Sequence, residues 1–460
     1  MPLQKNQVLT LRVERLSSDG SGVAHSPDGE TVFIPGAAPG DEARVRIVKD
    51  CKRYAFGILD EVLTPSPDRI PVDCAVAGPC GGCSLRHLDY AAELRAKQEN
   101  VADAFARIGG LDVPVLPIVG SPEVNRYRNK VQFPVGVDKS GKPCIGFYAG
   151  RTHRIVPCPD CRLQPGVLNE IGNALCAFFA EKGIQPYSEE TGRGLVRHIF
   201  LRRGAHSGQI MVCLVCTRAK LPSAEELCTR LKAQFAEITT ILLNVNAKNT
   251  NVILGTETHT LYGPGYIEDT LCGVPVQLGP LSFYQVNTLA AEQLYGIAAQ
   301  YAQLTPDDLL LDLYCGMGTI GLSMAAHCRE LIGVEIVPEA IESAKANAAR
   351  MGADVAAKSR FFCADAGQAA TRLAAEGLHP DIVMLDPPRK GCDEATLSAV
   401  VRMSPRRVVY VSCNPSTAAR DAAWLEEHGY HAEKVQPVDL FPRTRHCECV
   451  IALSKGEIDS

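Results

Sequence analysis

The sequence predicts an α/β protein whose last part is a Rossmann-like, mainly parallel and doubly wound sheet. Three observations lead to this prediction. From about residue 271 onward, short apolar runs alternate with helical segments, as in a parallel sheet covered by helices. The predicted strands are residues 309–313, 331–334, 360–363, 381–385, 407–411, 432–438 and 449–453, with helices such as 338–351 and 417–428 between them. One of these runs, residues 309–313, leads into a glycine-rich turn that opens a helix. The length of 460 residues also exceeds the size at which one hydrophobic core keeps growing, so we expect several domains.

The composition is that of an ordinary soluble protein, with 46% hydrophobic and 22% charged residues. The first residues lack an apolar signal core, and no run approaches the roughly 18 apolar residues of a membrane span. We therefore expect a cytoplasmic protein without a membrane contact. The net charge of -5 argues against nonspecific nucleic-acid binding by the whole surface. Residues 121–165 differ, because eight Lys or Arg against three acids give them a net charge of +5.

Residues 1–63 alternate β-rich runs with Gly, Pro and Asp turns, which predicts a small barrel of the oligonucleotide-binding (OB) type. The runs are residues 7–16, 31–34, 41–48 and 55–63. Such a barrel presents strands and loops to single-stranded nucleic acid. Phosphate contact and a solvated strand face are about equally expected for any one of five cations: Arg44, Arg46, Lys49, Lys52 and Arg53. The segment G-x-G-V-A at residues 20–24, followed by TVFIPGAAPGD, resembles the TRAM domain of RNA-modifying enzymes.

A cysteine cluster opens the predicted middle domain, residues 64–270. Cys74, Cys80 and Cys83 form C-x5-C-G-G-C, in which two glycines relax the backbone so that two thiolates can reach one centre. Nineteen cysteines without an export signal argue for metal binding, catalysis or burial rather than disulfides. Zinc and an iron–sulfur cluster both need a fourth ligand, which Cys158 or Cys161 of CPDC offers. The alternative is three buried thiols in a loop.

The middle domain also contains the basic segment RYRNKVQFPV. If this segment is a strand, Arg126, Arg128 and Lys130 share one face, for phosphate contact or simply for solvation. The periodicity of residues 91–108 predicts a helix, and later apolar runs predict strands of an α/β domain. Further cations are expected to add to its positive surface: Arg193, Arg197, Arg202 and Arg203.

Side chains at the ends of the predicted parallel strands form the candidate site. Asp312 closes an apolar strand, and Gly316, Gly318 and Gly321 let the chain turn into a helix. Glu335 follows the next strand, where a carboxylate can accept both ribose hydroxyls of an adenosine ligand. In D-x-x-C-G-x-G-x-x-G an acid precedes the glycines, which suits a cation better than a phosphate. The pattern resembles the first motif of S-adenosylmethionine-dependent methyltransferases, whose cofactor carries a sulfonium.

Two further strand ends, DPPR at residues 386–389 and SCNP at 412–415, indicate the chemistry. Methyltransferases that act on amino groups usually have an aromatic after the two prolines, whereas this chain has Arg389, so a carbon acceptor is favoured. Pyrimidine C5 is too weak a nucleophile to attack a sulfonium unaided, but a thiolate that adds at C6 activates it. Cys413 is the predicted nucleophile, with Cys392 as a rival.

The adduct must then lose its C5 proton, which requires a general base. Glu448, just before the last predicted strand, is the candidate. The alternative bases are Asp386, which is better placed to orient the uracil edge or the cofactor, and His446. Glu448 could also be an ordinary acid at a strand edge.

Together the motifs resemble those of the RNA uracil-5-methyltransferases, which make 5-methyluridine with S-adenosylmethionine. The resemblance covers nearly the whole chain: the TRAM-like segment, C-x5-C-G-G-C, FYQVN at residues 283–287, DLYCGMG, DPPRKG, SCNP, and D-x-F-P-x-T before H-x-E. It implies a [4Fe-4S] cluster on Cys74, Cys80, Cys83 and Cys161, with Cys158 as the substitute for the last.

The resemblance also implies the residues of the active site. Cys413 would be the nucleophile and Glu448 the base. The cofactor contacts would come from Gln285, Tyr314, Thr319, Glu335, Asp365 and Asp386. At positions 314 and 319 relatives often carry Phe and Asn.

A barrel and a cluster in one chain resemble the branch that modifies 23S ribosomal RNA, because the bacterial transfer-RNA branch usually lacks both. We expect a monomer of three domains: the TRAM barrel at 1–63, an iron–sulfur and RNA-binding domain at 64–270, and the methyltransferase domain at 271–460. The alternatives are 5-methyluridine formation in transfer RNA, RNA cytosine-C5 methylation and a noncatalytic RNA-binding iron–sulfur protein. Cytosine enzymes typically carry a second cysteine where Pro388 stands.

Overall fold

The structure is a computed structural model that describes residues 3–150 and 152–456. Arg151, one of the eight cations of residues 121–165, and the outermost residues of the first and last predicted domains lie outside the described residues. Among the helices that are described, none combines the length and the apolar character needed to cross a membrane.

The chain begins with a closed five-stranded barrel in the order β1-β2-β3-β5-β4. Its interior is filled by alternate apolar side chains such as Val32, Ile34, Val45 and Ile47, because successive side chains of a strand point to opposite faces. The predicted barrel is therefore confirmed, with β2 as a strand that the β-rich runs did not include. The strands are β1 (Val8–Leu16), β2 (Ser21–His25), β3 (Thr31–Pro35), β4 (Glu42–Asp50) and β5 (Tyr54–Thr64).

Two helices follow the barrel, the short α1 (Ala77–Cys80) and the longer α2 (Tyr90–Ala104). The Asp89 side chain caps α2 by accepting a hydrogen bond from the Ala92 N–H, which satisfies a free donor of the first turn. A π-helical turn, Phe105–Gly109, continues α2 to the end of the predicted helical segment.

A seven-stranded sheet in the order β12-β11-β10-β9-β6-β7-β8 forms the middle of the molecule. Neighbouring strands are antiparallel except β10 and β11. Two helices, α3 (Gly166–Glu181) and α4 (Ala224–Gln234), pack on it. The strands are β6 (Lys130–Val137), β7 (Pro143–Tyr148), β8 (Ile155–Pro157), β9 (Val196–Arg203), β10 (Ile210–Cys216), β11 (Ile238–Val245) and β12 (Glu257–Tyr262).

The predicted cationic strand face is wrong. Strand β6 begins only at Lys130, and Arg126 has a left-handed φ of 62°, so residues 126–129 do not alternate as in a strand. The Arg126 guanidinium instead donates to the Cys161 carbonyl at 2.8 Å and forms an ion pair with Asp160. It therefore holds the CPDC loop in place.

Two other cations that were expected on the surface are buried. Arg202 donates to the carbonyls of Gly279 and Ser282 at 2.8 and 2.7 Å. Arg197 donates to two carbonyls of the loop after β11. The carbonyl groups of these loops are not paired within a strand, so they need other hydrogen-bond donors. The two guanidinium groups supply those donors.

The last part is a seven-stranded sheet in the order β17-β16-β15-β18-β19-β21-β20. The pairs among β15 to β19 are parallel, and β21 is antiparallel to both of its neighbours. Separate apolar clusters lie on the two faces of the sheet. This is the predicted Rossmann-like architecture, and the sheet reverses its winding between β15 and β18, where ligands bind in such folds.

Its elements agree closely with the predicted ones, and a hairpin precedes them. The hairpin strand β13 (Ile267–Leu271) contains the predicted domain limit at 270/271. The elements are β13, β14 (Val274–Leu278), α5 (Thr288–Ala302), β15 (Leu309–Leu313), α6 (Thr319–Met324), β16 (Glu330–Glu335), α7 (Pro338–Met351), α8 (Ala353–Lys358), β17 (Ser359–Cys363), α9 (Ala366–Ala375), β18 (Ile382–Leu385), α10 (Glu394–Met403), β19 (Arg407–Ser412), α11 (Pro415–Glu427), β20 (Tyr430–Val438) and β21 (Glu448–Lys455).

A buried ion network joins α2 to the segment between β20 and β21. The Lys97 side chain is 1% exposed, and its Nζ donates to Glu93 Oε1 and Asp439 Oδ1, each at 2.7 Å. Its third hydrogen bond goes to the Phe441 carbonyl at 3.2 Å. The Tyr90 hydroxyl donates to the second oxygen of Asp439 at 2.9 Å. The network therefore fixes α2 against the segment that leads to β21.

We predict that Lys97→Met destabilises the protein by about 3 to 5 kcal/mol, because it leaves two buried carboxylates without their cation. The measurement is the free energy of unfolding in urea. Arg95→Ala is the control, since its exposed pair with Asp68 is worth at most about 1 kcal/mol. Equal losses in the two variants would contradict the prediction.

Candidate active site

Cys413 and Glu448 meet because β19 and β21 are antiparallel neighbours. Ser412 at the end of β19 lies opposite Cys449 of β21. The next residue along β19 and the preceding residue of β21 are therefore adjacent, and these are Cys413 and Glu448. Glu448 is buried, whereas Cys413 is half-buried. The sheet order thus brings the predicted nucleophile and the predicted base to one point.

Asp386 and Arg389 complete this cluster. Asp386 directly follows β18, the parallel neighbour of β19 on its other side. The carboxylates of Asp386 and Glu448 interact electrostatically with the Cys413 thiol and with each other. The Arg389 side chain interacts electrostatically with the Cys413 thiol and with Glu448. One cation therefore faces two acids and a thiol.

The protonation of the cluster follows from burial and from these charges. Burial raises the pKa of Glu448 to about 8, with a further increase from Asp386 and a decrease from Arg389. Burial alone raises the pKa of Asp386 to about 7. Burial also raises the pKa of the Cys413 thiol, the two carboxylates add to this, and Arg389 opposes it. Arg389 is thus the group that favours the thiolate.

Three carboxylates surround the glycine-rich turn after β15. Asp312 is buried, its Oδ2 accepts a hydrogen bond from the Gly321 N–H at 3.0 Å, and its Oδ1 has no partner within the described residues. Burial raises the pKa of Asp312 to about 8, and the nearby Asp386 and Glu335 contribute. Glu335 accepts hydrogen bonds from two backbone N–H groups, those of Gly316 and Val337. A cation at this turn would meet several carboxylates.

Gln285 and Thr319 lie near each other, around a tyrosine that the sequence did not single out. Both side chains interact with the hydroxyl of Tyr295, which comes from α5 and is buried. The Asp386 carboxylate also interacts with this hydroxyl. Thr319 is the first residue of α6, and the backbone carbonyl of Gln285 accepts a hydrogen bond from Asn129 at 2.8 Å. Three of the predicted cofactor contacts are therefore neighbours of one hydroxyl group.

The remaining predicted contacts, Tyr314 and Asp365, lie at two strand ends. Tyr314 has a left-handed φ of 66°, and its hydroxyl lies 3.3 Å from the Thr396 hydroxyl of α10. Asp365 caps α9 by accepting a hydrogen bond from the Gln368 N–H at 3.1 Å. Both residues thus have structural partners in addition to any ligand.

A cavity of about 300 Å³ opens beside Cys413. Its wall combines residues of three parts of the chain: the catalytic loops, α2 and the β1–β2 loop of the barrel. Arg445 links two of these parts, because its guanidinium donates to the Asp19 carbonyl at 3.5 Å. The residues that line the cavity include Ser18, Asp19, Asn100, Arg389, Cys413, Asn414, Arg445 and His446.

The structure also distinguishes the alternative residues. His446 lines the same cavity, but burial and the neighbouring cations, first of them Arg389, lower its pKa to about 4. Cys392 lies in the core, where burial raises its pKa to about 12, and its N–H donates to Asp421. Its neighbours are Tyr410, Tyr314 and Asp421, and it is not among the residues that line the cavity.

Five cysteines of the middle part of the chain lie in one neighbourhood. The Cys161 thiol interacts electrostatically with Cys80 and Cys83, and Cys158 is hydrogen-bonded to Cys161 and interacts with Cys74 and Cys80. Within residues 3–150 and 152–456, no group of three or more His, Cys, Asp or Glu side chains is arranged to hold a metal ion. The fold thus collects the predicted thiols without forming a site for a single ion.

Arg86 borders these cysteines. Its side chain is 3% exposed, its Nη1 donates to Asp73 Oδ1 at 2.7 Å, and it interacts electrostatically with the Cys83 thiol. Its Nε and Nη2 atoms are buried without an oxygen or nitrogen partner among the described residues. Buried donors normally have acceptors, so these N–H groups are available to an anion held by the thiols.

Sequence reasoning missed Arg389, Tyr295 and Arg86 as contributors to the two sites. The sequence did contain a signal for Arg389. A cation takes the position of the usual aromatic residue, and the predicted nucleophile is a thiol that must lose its proton. For Tyr295 and Arg86 no signal was visible, because their neighbours come from distant parts of the chain.

Comparisons with known proteins identify relatives of this chain. The family described as tRNA (Uracil-5-)-methyltransferase matches residues 206–456, and the TRAM domain family matches residues 2–59. An uncharacterized RNA methyltransferase of Halalkalibacterium halodurans is 43% identical over 453 residues, which cover 98% of each chain. One from Listeria monocytogenes is 42% identical over 455 residues, again 98% of each chain.

A solved structure is similar along the whole chain. It is the tRNA (uracil-54, C5)-methyltransferase of Pyrococcus abyssi in complex with S-adenosyl-L-homocysteine. The two chains are 27% identical with a TM-score of 0.77, and the match covers 97% of this chain and 100% of the other. On these matches the chain belongs to the tRNA (uracil-5-)-methyltransferase family and is an RNA (uracil-5-)-methyltransferase with a TRAM domain.

Proposed function

We propose that the protein methylates C5 of uridine in RNA with S-adenosylmethionine, through a covalent bond between Cys413 and C6 of the base. The observation that carries this proposal is the convergence of Cys413, Glu448, Asp386 and Arg389 beside a cavity of about 300 Å³. A thiol, a basic carboxylate and a cation at one point are what addition to a pyrimidine requires.

In the first step, the Cys413 thiolate adds to C6, and the ring electrons move to C5 and the carbonyl oxygen O4. Arg389 supports this step because its guanidinium favours the thiolate over the thiol. S-adenosylmethionine supplies an electrophilic methyl group when it is bound. C5 would then bond to this methyl group while the bond between the group and the cofactor sulfur breaks and its electron pair stays on that sulfur. The ring would remain attached to Cys413 through C6.

In the second step, Glu448 removes the C5 proton, the C5–C6 double bond forms again, and the Cys413 thiolate leaves. A base works best when its pKa is close to the operating pH. The pKa of Glu448, about 8, meets this condition, whereas that of His446, about 4, makes a weak base. Asp386 is closer to the glycine-rich turn, where we assign it to the cofactor and to the edge of the uracil.

The glycine-rich turn suits a cationic cofactor. The unpartnered Oδ1 of Asp312 and the raised pKa of its carboxyl indicate a pocket in which negative charge lacks compensation. A sulfonium would supply that compensation. We propose that Glu335 holds the ribose hydroxyls, and that further contacts come from Gln285, Tyr314, Thr319, Asp365 and Asp386.

We propose uridine in RNA as the substrate, and then one kind of RNA. The family match supports uridine in RNA. Within RNA, the presence of the barrel and of the cysteine cluster favours 23S ribosomal RNA. The structural match to a transfer-RNA enzyme favours transfer RNA as the second candidate. Mass spectrometry of the two unmodified RNAs after treatment with the protein and cofactor separates them by where 5-methyluridine appears, and methylcytidine alone would contradict both.

We further propose a [4Fe-4S] cluster on Cys74, Cys80, Cys83 and Cys161, with Cys158 as the alternative fourth ligand. A cluster with four thiolate ligands is anionic and holds their sulfurs farther apart than a single ion does. The interacting thiols and the free N–H groups of Arg86 fit such an anion. The cluster would hold the two cysteine segments of the middle domain together.

We predict that Cys413→Ala abolishes turnover while RNA binding is retained. Wild-type protein should form a covalent complex with 5-fluorouridine RNA in the presence of cofactor, because fluorine at C5 cannot leave as a proton. The complex is measured as a shifted band in denaturing gels. Cys228→Ala, which changes a half-buried thiol of α4, is the control and should form the complex normally. Full activity of Cys413→Ala would refute the mechanism.

Glu448→Gln should accumulate the methylated covalent complex and slow turnover about 10² to 10⁴-fold, since the C5 proton then has no base. In the wild type, the base ionises as the pH rises through about 8, so single-turnover release of product should rise up to that pH. The raised pKa also means that folding favours the protonated form. This stabilisation is fully present below pH 4.5 and is lost as the pH rises through 8, so the melting temperature should fall over this pH range. Glu448→Gln should reduce that fall.

The control for this variant is Glu427→Gln, at the exposed end of α11. It should keep the wild-type rate and pH profile. A Glu448→Gln enzyme that releases product at the wild-type rate would remove the residue from the mechanism.

We predict that anaerobically purified protein is brown, contains iron and sulfide, and absorbs in the visible blue. Cys83→Ala should lose the colour and the iron, whereas Cys144→Ala, on β7, should keep them. Colourless wild-type protein with stoichiometric zinc would contradict the cluster.

A further inference from the structure

Three aromatic rings lie together on the barrel. The ring centroids of Phe33 and Tyr54 are 5.7 Å apart, those of Phe33 and Phe56 are 5.8 Å apart, and those of Tyr54 and Phe56 are 5.6 Å apart. They adjoin one another because β3 and β5 pair in parallel, with Phe33 opposite Phe56 and Thr31 opposite Tyr54. We call these three residues the aromatic patch.

The aromatic patch is not part of the barrel core. The core is formed by the alternate residues of the same strands, among them Val32, Ile34 and Ala55, which are almost completely buried. Because side chains alternate along a strand, the three rings lie on the outer face. The Tyr54 side chain is 40% exposed. The rings are therefore available for contact with a partner.

Three cations surround the aromatic patch. Lys49 of β4 lies opposite Phe56, while Lys52 and Arg53 form the turn that leads into Tyr54. All three are exposed, and none forms a salt bridge within the part of the chain that the structure describes.

The other two cations of β4 are engaged differently. Arg44 pairs with Glu61 at 2.8 Å, and Arg46 pairs with Asp60 at 2.5 Å. The structure thus separates the five barrel cations into a paired set and an unpaired set, and only the unpaired set adjoins the rings.

The aromatic patch lies near one end of β3, and the other end of β3 pairs with the start of β2, next to the loop that borders the catalytic cavity. The cavity is bordered by Ser18 and Asp19, in the loop that leads into β2 at Ser21. Ser21 pairs with Pro35, whereas the patch lies around Thr31, at the other end of β3. Four residues of a strand correspond to about 13 Å. A few nucleotides of extended RNA can span such a distance.

We infer that the aromatic patch, with Lys49, Lys52 and Arg53, binds a single-stranded segment of the RNA substrate that flanks the target uridine. The bases stack on the exposed ring of Tyr54 and its neighbours, and the cations contact the phosphates. Every base has a flat face, so stacking tolerates different sequences. The inference rests on the proposed function in that the substrate is RNA, and its new content is the assignment of the contact to one face of the barrel, formed by the aromatic patch and the three unpaired cations.

The first test measures binding of a fluorescent single-stranded oligouridylate of about twelve nucleotides by anisotropy. Tyr54→Ala should weaken binding about tenfold, because a stacked base is lost. The double variant Lys52→Gln/Arg53→Gln should weaken it too and reduce the slope of log Kd against log salt by roughly 1.4, or about 0.7 for each phosphate contact. Both changes are on the exposed surface, so the fold should remain, which circular dichroism checks.

Arg44→Gln is the matched control, since it removes one charge of β4 from a paired position. It should leave the affinity within about twofold of the wild type. Wild-type protein that does not bind the oligonucleotide, or affinities that are unchanged in Tyr54→Ala and in the double variant, would overturn the inference.

The second test separates this inference from the proposed function. On RNA with single-stranded flanks, Tyr54→Ala should raise KM about tenfold and leave kcat unchanged. It should also still form the covalent complex with 5-fluorouridine RNA at saturation. On an RNA trimmed to the target loop, the variant and the wild type should have the same KM. Equal KM on both RNAs would refute the aromatic patch alone, whereas absence of the covalent complex in the wild type would refute the mechanism.

Discussion

The buried contact of Lys97 with Glu93 and Asp439 is the constraint on which the arrangement of the chain depends. Breaking a buried ion pair leaves an uncompensated charge in the interior, so these contacts favour the packing of α2 in which Lys97 meets both carboxylates. The contact involves residues more than 300 positions apart. It fixes the start of the segment that crosses from β20 to β21, and Glu448 is the first residue of β21. The position of the proposed base thus depends on a helix outside its own sheet.

The low polarity of the interior, which makes the Lys97 ion contacts costly to break, also determines the protonation of the proposed active site. Glu448, Asp386 and Asp312 are carboxyl groups that burial keeps protonated to an unusually high pH. Arg389 opposes this effect on both Cys413 and Glu448. In the proposed mechanism the site holds a thiolate and later accepts a proton, and it uses both influences: Arg389 favours the thiolate, and burial makes Glu448 a stronger base.

The barrel and the catalytic sheet both contribute residues to the wall of the catalytic cavity. The β1–β2 loop borders the catalytic cavity, and Arg445 joins that loop to the segment before Glu448. A substrate that reaches Cys413 through this cavity meets residues of the barrel. This arrangement fits an enzyme whose substrate base must be unstacked from folded RNA before it can react, since binding of the flanking strand offsets part of that cost.

The predictions from the sequence that were wrong or incomplete concern residues whose partners are distant in the sequence. Arg126 and Arg202 were taken for surface cations, because a basic residue in a basic segment is usually solvated. Both donate to backbone carbonyls of loops that are distant in sequence. Strand β2 was missed because SGVAH is short and contains small polar residues, and its pairing with β1 and β3 decides that it is a strand.

The sequence by itself determined the α/β fold class, the barrel, the strands and helices of the last sheet, and the residues at the strand ends, because hydrophobic periodicity and turn residues act locally. It also supplied the candidate nucleophile and base as residue types. Only the tertiary structure decided that β21 lies between β19 and β20, which places Glu448 beside Cys413. Strand order, buried ion contacts and shifts in pKa depend on which distant residues share a low-dielectric interior, and no local pattern encodes that.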